Sequence, residues 1–180
     1  MKLVILDRDG VINEQPATFV KHPDEWVPIA GSLDAIARLT GAGYCVAVAT
    51  NQSGVARGLI DLWTLNAIHS RMLRAVQQAG GRIDVIYYCP HAADSLCPCR
   101  KPAPGMFIDI GQRFGVSLAH VPAIGDSLRD LQAAAAAGAR PVLVRTGRGK
   151  ETEKAPELPG KTRIYDDLSS AVDAILSEAP

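Results

Sequence analysis

The stretch Lys2-Leu3-Val4-Ile5-Leu6-Asp7-Arg8-Asp9-Gly10-Val11 decides the fold. Its apolar run does not alternate with polar residues, so a strand built from it has both faces covered, as in a parallel sheet packed between helices. The run ends abruptly in two acids and a glycine, which marks the strand's carboxyl end. Working outward, apolar runs at 44–49, 83–88, 121–124 and 141–144 predict four more strands. Helical spacing fills the gaps at 32–40, 62–79, 105–114 and 127–137, with Gly138 placed for a helix C-cap and a last helix over 168–176. This alternation predicts an α/β fold: a Rossmann-like, doubly wound parallel sheet with right-handed crossovers and a site beyond the strands' carboxyl ends. The segment 147–161, with Pro156, Pro159 and three glycines, reads as a surface loop. No repeat interrupts the pattern. The 180 residues fit one domain over 1–180, leaving only loops to serve as a cap.

Nineteen basic residues balance nineteen acidic ones, so no net charge draws the surface as a whole to nucleic acid or membrane. No apolar run reaches ~18 residues and no cleavable leader opens the chain, so the expected location is the cytoplasm. Three of the four cysteines fall within eleven residues beside a histidine, a pattern that favours a metal in a reducing compartment over disulfides.

Asp7 and Asp9, two residues apart past a buried strand, can share one polar pocket, with Gly10 allowing the chain to turn. Carboxylates so close repel unless a cation or a proton intervenes. A hard divalent ion with oxygen ligands, magnesium above all, resolves the repulsion. The ends of later strands add matching chemistry. Thr50-Asn51-Gln52-Ser53-Gly54 offers hydroxyl, amide and backbone donors to phosphate oxygens. Arg100-Lys101-Pro102 brings two cations, and Gly125-Asp126-Ser127 with Asp130 brings further acids. Each alone has a plain structural explanation, such as a turn or a helix cap. Their joint occurrence at successive strand ends points to a phosphate-handling site.

In this order, Asp7-x-Asp9-Gly-Val, Thr50, Lys101 and Gly125-Asp126-x-x-x-Asp130 resemble the four motifs of the haloacid dehalogenase superfamily, and the paired acids resemble its phosphatase branch. The resemblance implies that Asp7 attacks phosphorus while Asp9 protonates the leaving oxygen and later takes a proton from water. It implies a magnesium site made by the Asp7 carboxylate, the Asp9 backbone carbonyl and Asp126. Thr50 and the Asn51 amide would bind phosphoryl oxygens. Lys101 would neutralise charge, and Asp130 would orient Lys101 or the metal's waters.

Cys89-Pro90-His91 and Cys97-Pro98-Cys99 form a C-x-H-x5-C-x-C pattern. Three soft sulfurs and an imidazole suit a closed, structural zinc shell, which would pin Arg100 and Lys101 beside the site. Cys45 reads as a small core residue. Within the superfamily this combination resembles the small, capless, zinc-bearing branch of heptose-bisphosphate and histidinol phosphatases. The segment from Thr50 to Gly58, TNQSGVARG, is similar to the heptose side of that branch. The likeness implies a sugar bisphosphate, D-glycero-D-manno-heptose 1,7-bisphosphate, losing its C7 phosphate on the route to the heptose of bacterial lipopolysaccharide. Arg57 and Arg100 would clamp the second phosphate by charge-assisted hydrogen bonds, a pair that would repel the cationic amine of histidinol phosphate. Histidinol phosphate, a general range of sugar phosphates, and a zinc-stabilised binding module without turnover are the alternatives. A monomer is the expected state. His22 and His69, lacking paired acids, read as surface or boundary residues, and Trp26 as local packing or pocket rim.

Overall fold

A computed structural model describes residues 1–16 and 18–178. Strands β1 (Lys2–Leu6), β2 (Tyr44–Asn51), β3 (Val85–Cys89), β4 (Pro122–Gly125), β5 (Arg140–Val144) and β6 (Arg163–Tyr165) form one sheet in the order β3-β2-β1-β4-β5-β6. Every pairing is parallel. The helices are α1 (Ser32–Gly41), α2 (Leu62–Gln78), α3 (Gly105–Phe114), α4 (Leu128–Ala136), the single turn α5 (Gly149–Thr152) and α6 (Leu168–Glu178). Five strands and five helices match the sequence expectation to within a few residues. The short elements β6 and α5 depart from it: β6 was not expected, and α5 sits in the segment read as loop.

Alternation along β1 explains the double winding. Val4 and Leu6 face one core with α1, α2 and α6, whose Ile36, Ile68, Met72 and Val172 are buried there. Leu3 and Ile5 face the other core with Met106, Phe107 and Ile110 of α3 and Ala133 and Ala134 of α4. Each large side chain so buried contributes about 1.5–3 kcal/mol. Trp26 belongs to the first core, at 2% exposure, and packs locally rather than at a rim.

The chain runs outward from β1 through β2 to β3, then returns to place β4 on β1's other side. That reversal opens a crevice between the carboxyl ends of β1 and β4, where α/β sheets bind their ligands. Register fixes what lies there. Leu6 pairs with Ile124, and the Asp7 amide donates to the Ile124 carbonyl at 2.8 Å, so Asp7 and Asp126 leave adjacent strands side by side. Among the described residues no helix is long and apolar enough to cross a membrane.

Candidate active site

One carboxylate oxygen each of Asp7, Asp126 and Asp130 lies within 4.8 Å of the others. Asp7 comes from the end of β1 and Asp126 from the end of β4. Asp130 sits in the first turn of α4, where it accepts from the Ser127 amide at 2.9 Å and the Ser127 hydroxyl at 2.7 Å. It is thus both a helix cap and a member of the site. Lys101 lies between them at 2% exposure. Its Nζ reaches Asp7 at 2.9 Å and Asp130 at 2.6 Å and donates to the Ala49 carbonyl at 2.7 Å, so a buried ammonium has three acceptors.

The electrostatics of this group call for a dication. Burial pushes Asp7 up to about 6 despite the pull of Lys101, and the charges of Asp130 and Asp9 add to the rise. Burial also drives Asp126 up to about 8, reinforced by Asp130 and Asp7. Burial opposes ionisation of Asp130 too, but Lys101 and Ser127 outweigh it and hold that carboxyl low. Lys101, for its part, is disfavoured by burial yet held above its ordinary value by Asp130 and Asp7. One lysine therefore cannot keep three buried acids ionised, whereas a bound divalent cation would. Hard oxygen donors in a polar cup suit magnesium.

The space around the cluster is tailored by backbone. Gly10 has φ 81°, and a Cβ there would overlap the Asp126 carboxylate; so would one on Gly147. Thr146 Oγ1 donates to the Gly10 carbonyl at 2.6 Å, and the Arg148 amide donates to Asp126 Oδ2 at 2.8 Å. Residues 146–148 thus close one wall of the site. Their neighbour Arg145 anchors the turn, donating to Glu153 at 2.8 Å and Asp166 at 2.7 Å. The part of 147–161 nearest β5 is site wall rather than free loop, a correction to the sequence reading.

The other expected residues divide by what their side chains do. Thr50, 1% exposed, lines the small cup with Asp7, Lys101 and Asp126. Its Oγ1 accepts from Gln52 Nε2 at 3.0 Å, which leaves the hydroxyl proton free to donate. Gln52 also donates to Asp9 Oδ2 at 2.9 Å, so its amide braces two site residues and is not left for a phosphate. Asn51 likewise spends its side chain on the Lys101 backbone, donating to the carbonyl at 3.0 Å and accepting from the amide at 3.1 Å. Ser53 lies farther out. The Asp9 side chain stands outside the acid cluster, since both its oxygens accept hydrogen bonds elsewhere; a metal ligand from this residue would have to be its backbone carbonyl.

Those bonds define an unexpected network. Arg8, fully buried, donates to Asp9 Oδ1 from Nε at 3.1 Å and from Nη2 at 2.8 Å, and to Oδ2 at 2.9 Å. Asn13 adds 2.9 Å to Oδ1. Burial opposes the Asp9 charge, but Arg8, Asn13 and Gln52 hold its carboxyl below the ordinary value. Behind Arg8 lies His69 of α2, Nε2 3.3 Å from Nη1. His69 is 5% exposed, which corrects its reading as a surface or boundary residue. Spacing held the signal: 69 falls on the stripe Leu65, Ile68, Met72, Val76 that α2 buries. His22 does lie at the surface, accepting from the Asp24 amide at 3.2 Å.

The small cup, about 70 Å³, adjoins a larger cavity of about 350 Å³. Arg57 and Arg100 both line the larger one, together with Arg129, Arg148, Ser53 and Phe19. Arg57 lies over the Phe19 ring at 5.8 Å, which ties the β1–α1 connection to the turn after β2. Arg129, Arg148 and Gln15 line both cavities. The sequence offered no signal for these three beyond their charge or polarity, because only the fold brings them here.

Cys89, His91, Cys97 and Cys99 converge beside this cavity's wall. Sulfur separations are 3.7 Å for Cys89–Cys97 and 3.5 Å for Cys97–Cys99, and His91 Nδ1 lies 3.4 Å from Cys89 and 3.3 Å from Cys99. A tetrahedral zinc with bonds of about 2.3 Å to sulfur and about 2.0 Å to nitrogen has edges of about 3.8 Å and 3.5 Å. All four cysteines are free thiols. Burial and the neighbouring thiols push Cys99 up to about 12, a crowding that a dication would relieve. Arg100 leaves the cluster donating back to the His91 carbonyl at 3.2 Å.

Comparison with known proteins places this geometry in context. The profile of the polynucleotide kinase 3 phosphatase family matches residues 2–124, and that of the HAD-hydrolase-like family matches residues 98–171. The D-glycero-beta-D-manno-heptose-1,7-bisphosphate 7-phosphatase of Bordetella bronchiseptica is 58% identical over 99% of this chain and 100% of its own. The protein of the same name from Pseudomonas aeruginosa is 52% identical over 97% of both chains. The crystal structure of the B. bronchiseptica D,D-heptose 1,7-bisphosphate phosphatase, complexed with magnesium and phosphate, superimposes with a TM-score of 0.98 over 99% of this chain and 100% of that one.

Proposed function

Because this chain belongs to the haloacid dehalogenase (HAD) phosphatases, we propose that it removes the C7 phosphate of D-glycero-β-D-manno-heptose 1,7-bisphosphate through a phosphoaspartate on Asp7. One observation carries the reading: the Asp7 carboxylate stands at the sheet's switch point, 2.9 Å from a buried lysine and within 4.8 Å of two further acids.

Asp7, Asp126 and the Asp9 carbonyl would hold magnesium, which when bound offsets the charge shared by carboxylate and phosphoryl oxygens. An Asp7 oxygen attacks phosphorus in line as the bond to the sugar oxygen breaks, and Lys101 and the Thr50 hydroxyl stabilise the equatorial oxygens. Asp9, ionised before substrate binds, would enter this step protonated, a form that a phosphate dianion beside it favours, and deliver that proton to the departing sugar oxygen. It then takes one from a water that attacks the phosphoaspartate, freeing phosphate and restoring Asp7. Asp130 keeps Lys101 charged and in place. Zinc in the Cys89–His91–Cys97–Cys99 tetrahedron would be structural, its four protein ligands leaving no open position.

The substrate assignment rests on the relatives' names and on the arginine-lined cavity. Arg57, Arg100, Arg129 and Arg148 offer forked donors to the C1 phosphate while C7 reacts in the cup. We further read residues 1–180 as one domain, acting as a cytoplasmic monomer on the route to lipopolysaccharide heptose, without nucleic-acid or membrane partners. Phosphate release from the heptose bisphosphate in both anomeric forms, histidinol phosphate and fructose 1,6-bisphosphate, with magnesium and after chelation, tests the assignment. It predicts magnesium-dependent turnover that favours the β-heptose bisphosphate; a preference for histidinol phosphate would overturn the substrate while sparing the mechanism. Light scattering at working concentration tests the monomer.

A further inference from the structure

Arg8 has no solvent exposure, yet it carries a permanent charge. Its Nε and Nη2 are spent on both oxygens of Asp9. On the other side of the guanidinium, Nη1 faces His69 Nε2 at 3.3 Å. No other side-chain partner of Nη1 is found among the described residues. Arginine only donates, so Nε2 accepts and the His69 proton sits on Nδ1. Burial first, and the Arg8 charge second, hold His69 down to about 4, so the ring is a neutral acceptor near pH 7. It is held in turn. α2 buries it on the stripe with Ile68 and Met72, and the Tyr88 ring of β3 lies 5.9 Å away at a 57° tilt.

We propose that His69 is a positioning residue for proton transfer: by accepting from Arg8 it fixes the guanidinium that fixes the Asp9 carboxylate. The relay is short, running from α2 through Arg8 to Asp9 by direct hydrogen bonds. It rests on the reading of Asp9 as the general acid given above. His69 touches neither substrate nor metal ligand, and its effect passes entirely through Arg8. Neutral side chains, Asn13 and Gln52, hold Asp9 from the other directions at 2.9 Å each. Losing the His69 contact leaves a buried N–H without an acceptor, and the guanidinium must turn to find one.

The test uses two esters that differ in need of a proton. In forming the phosphoaspartate the sugar ester expels an alkoxide and needs the Asp9 proton, whereas p-nitrophenyl phosphate expels a stable phenolate and does not; kcat/KM reads that step, ahead of the hydrolysis in which Asp9 serves both esters as base. The magnesium-loaded full chain is assayed as wild type, Asp9→Asn, His69→Phe, which keeps a ring against Tyr88 but no acceptor, and His69→Gln, which restores an acceptor. General acid assistance is worth about 10²–10⁴-fold, so Asp9→Asn should lose about that in kcat/KM on the heptose bisphosphate and far less in kcat/KM on the aryl ester. His69→Phe should lose about tenfold in kcat/KM on the sugar ester, with kcat/KM on the aryl ester within about twofold, and His69→Gln should recover most of it. If His69→Phe does not fold, as judged by Tm and near-ultraviolet circular dichroism, His69→Leu takes its place. Equal losses on both esters, no loss at all, or no recovery in His69→Gln would overturn the role of His69 while the Asp9→Asn split still stood. Absence of that split would instead remove the reading of Asp9, and this inference with it.

Discussion

Lys101 and Cys99 stand two residues apart, yet they belong to regions held in unlike ways. The acid cup around Lys101 is an outgrowth of the sheet: β1, β2 and β4 deliver Asp7, Thr50 and Asp126, and two apolar cores hold those strands. Its buried charges are positioned by one another. The cysteine cluster touches the second core only along one side, through Cys89, Cys97 and Cys99. Leu96 within the loop is fully exposed, and of Cys89, His91, Cys97 and Cys99 only Cys89 is buried. On the zinc reading, ligation would add there what packing supplies in the cup. Arg100 and Lys101 join the two, so a loosely packed loop is committed to positioning a buried lysine.

Asp7→Asn should separate chemistry from structure in the cup, reducing turnover by about 10⁴-fold or more. Thermal melting should show a folded protein, since the amide keeps the shape and removes one of three crowded charges. Lys101→Ala should break the cup itself. It strands Asp7 and Asp130 without their cation, and losing one partner of a buried pair costs about 3–5 kcal/mol, read by denaturant titration.

Acid should also act on the cup's support. His69 has its folded value near 4 against an ordinary 6.5. The unfolded chain therefore binds the extra proton between these values, and stability falls as pH drops from 6.5 towards 4, by up to about 3 kcal/mol. Above 6.5 this contribution is constant. Denaturant midpoints of wild type and His69→Gln with magnesium present, compared across that window, isolate it: the variant's curve should be flatter. The smallest effect falls on the loop. Cys97→Ser or zinc removal should lower Tm and reduce kcat/KM by roughly tenfold through Arg100 and Lys101, with the sheet's circular dichroism unchanged. Full activity and heat resistance in Cys97→Ser would mean the loop is held otherwise.

The cup was legible because parallel strands announce themselves as apolar runs, and the polar residues that end them must share the sheet's carboxyl edge. Asp7, Thr50 and Asp126 needed no more than that rule; Lys101, twelve residues past the end of β3, was placed by its position before α3 and by the family resemblance. What escaped reading depends on tertiary pairing. Strand β6 has three residues, one of them Arg163, and exists through its register with Val142–Val144 rather than through its own pattern. Thr146 and Arg148 reach the site because β5 ends beside β4, which spacing in the sequence does not encode. The side-chain amides of Gln52 and Asn51 brace neighbouring site residues, a use that a reading of TNQSG as donors to phosphate could not separate from the segment's backbone amides. Arg8 and His69 were missed for a shared reason. Arg8 is buried with its charge met by Asp9 and by His69, pairings that hydropathy does not show, although the helical stripe through position 69 marked the histidine.

The central claim is that Asp7 is phosphorylated during turnover, and trapping the acyl phosphate tests it most directly. Magnesium-loaded enzyme mixed with excess heptose bisphosphate is quenched in acid within one turnover, reduced with borohydride and digested for peptide mass spectrometry. An acyl phosphate on an aspartate is reduced to homoserine, and the account predicts that conversion at position 7 alone, dependent on substrate. Conversion at Asp126 or Asp130, or none while phosphate is being released, would contradict it.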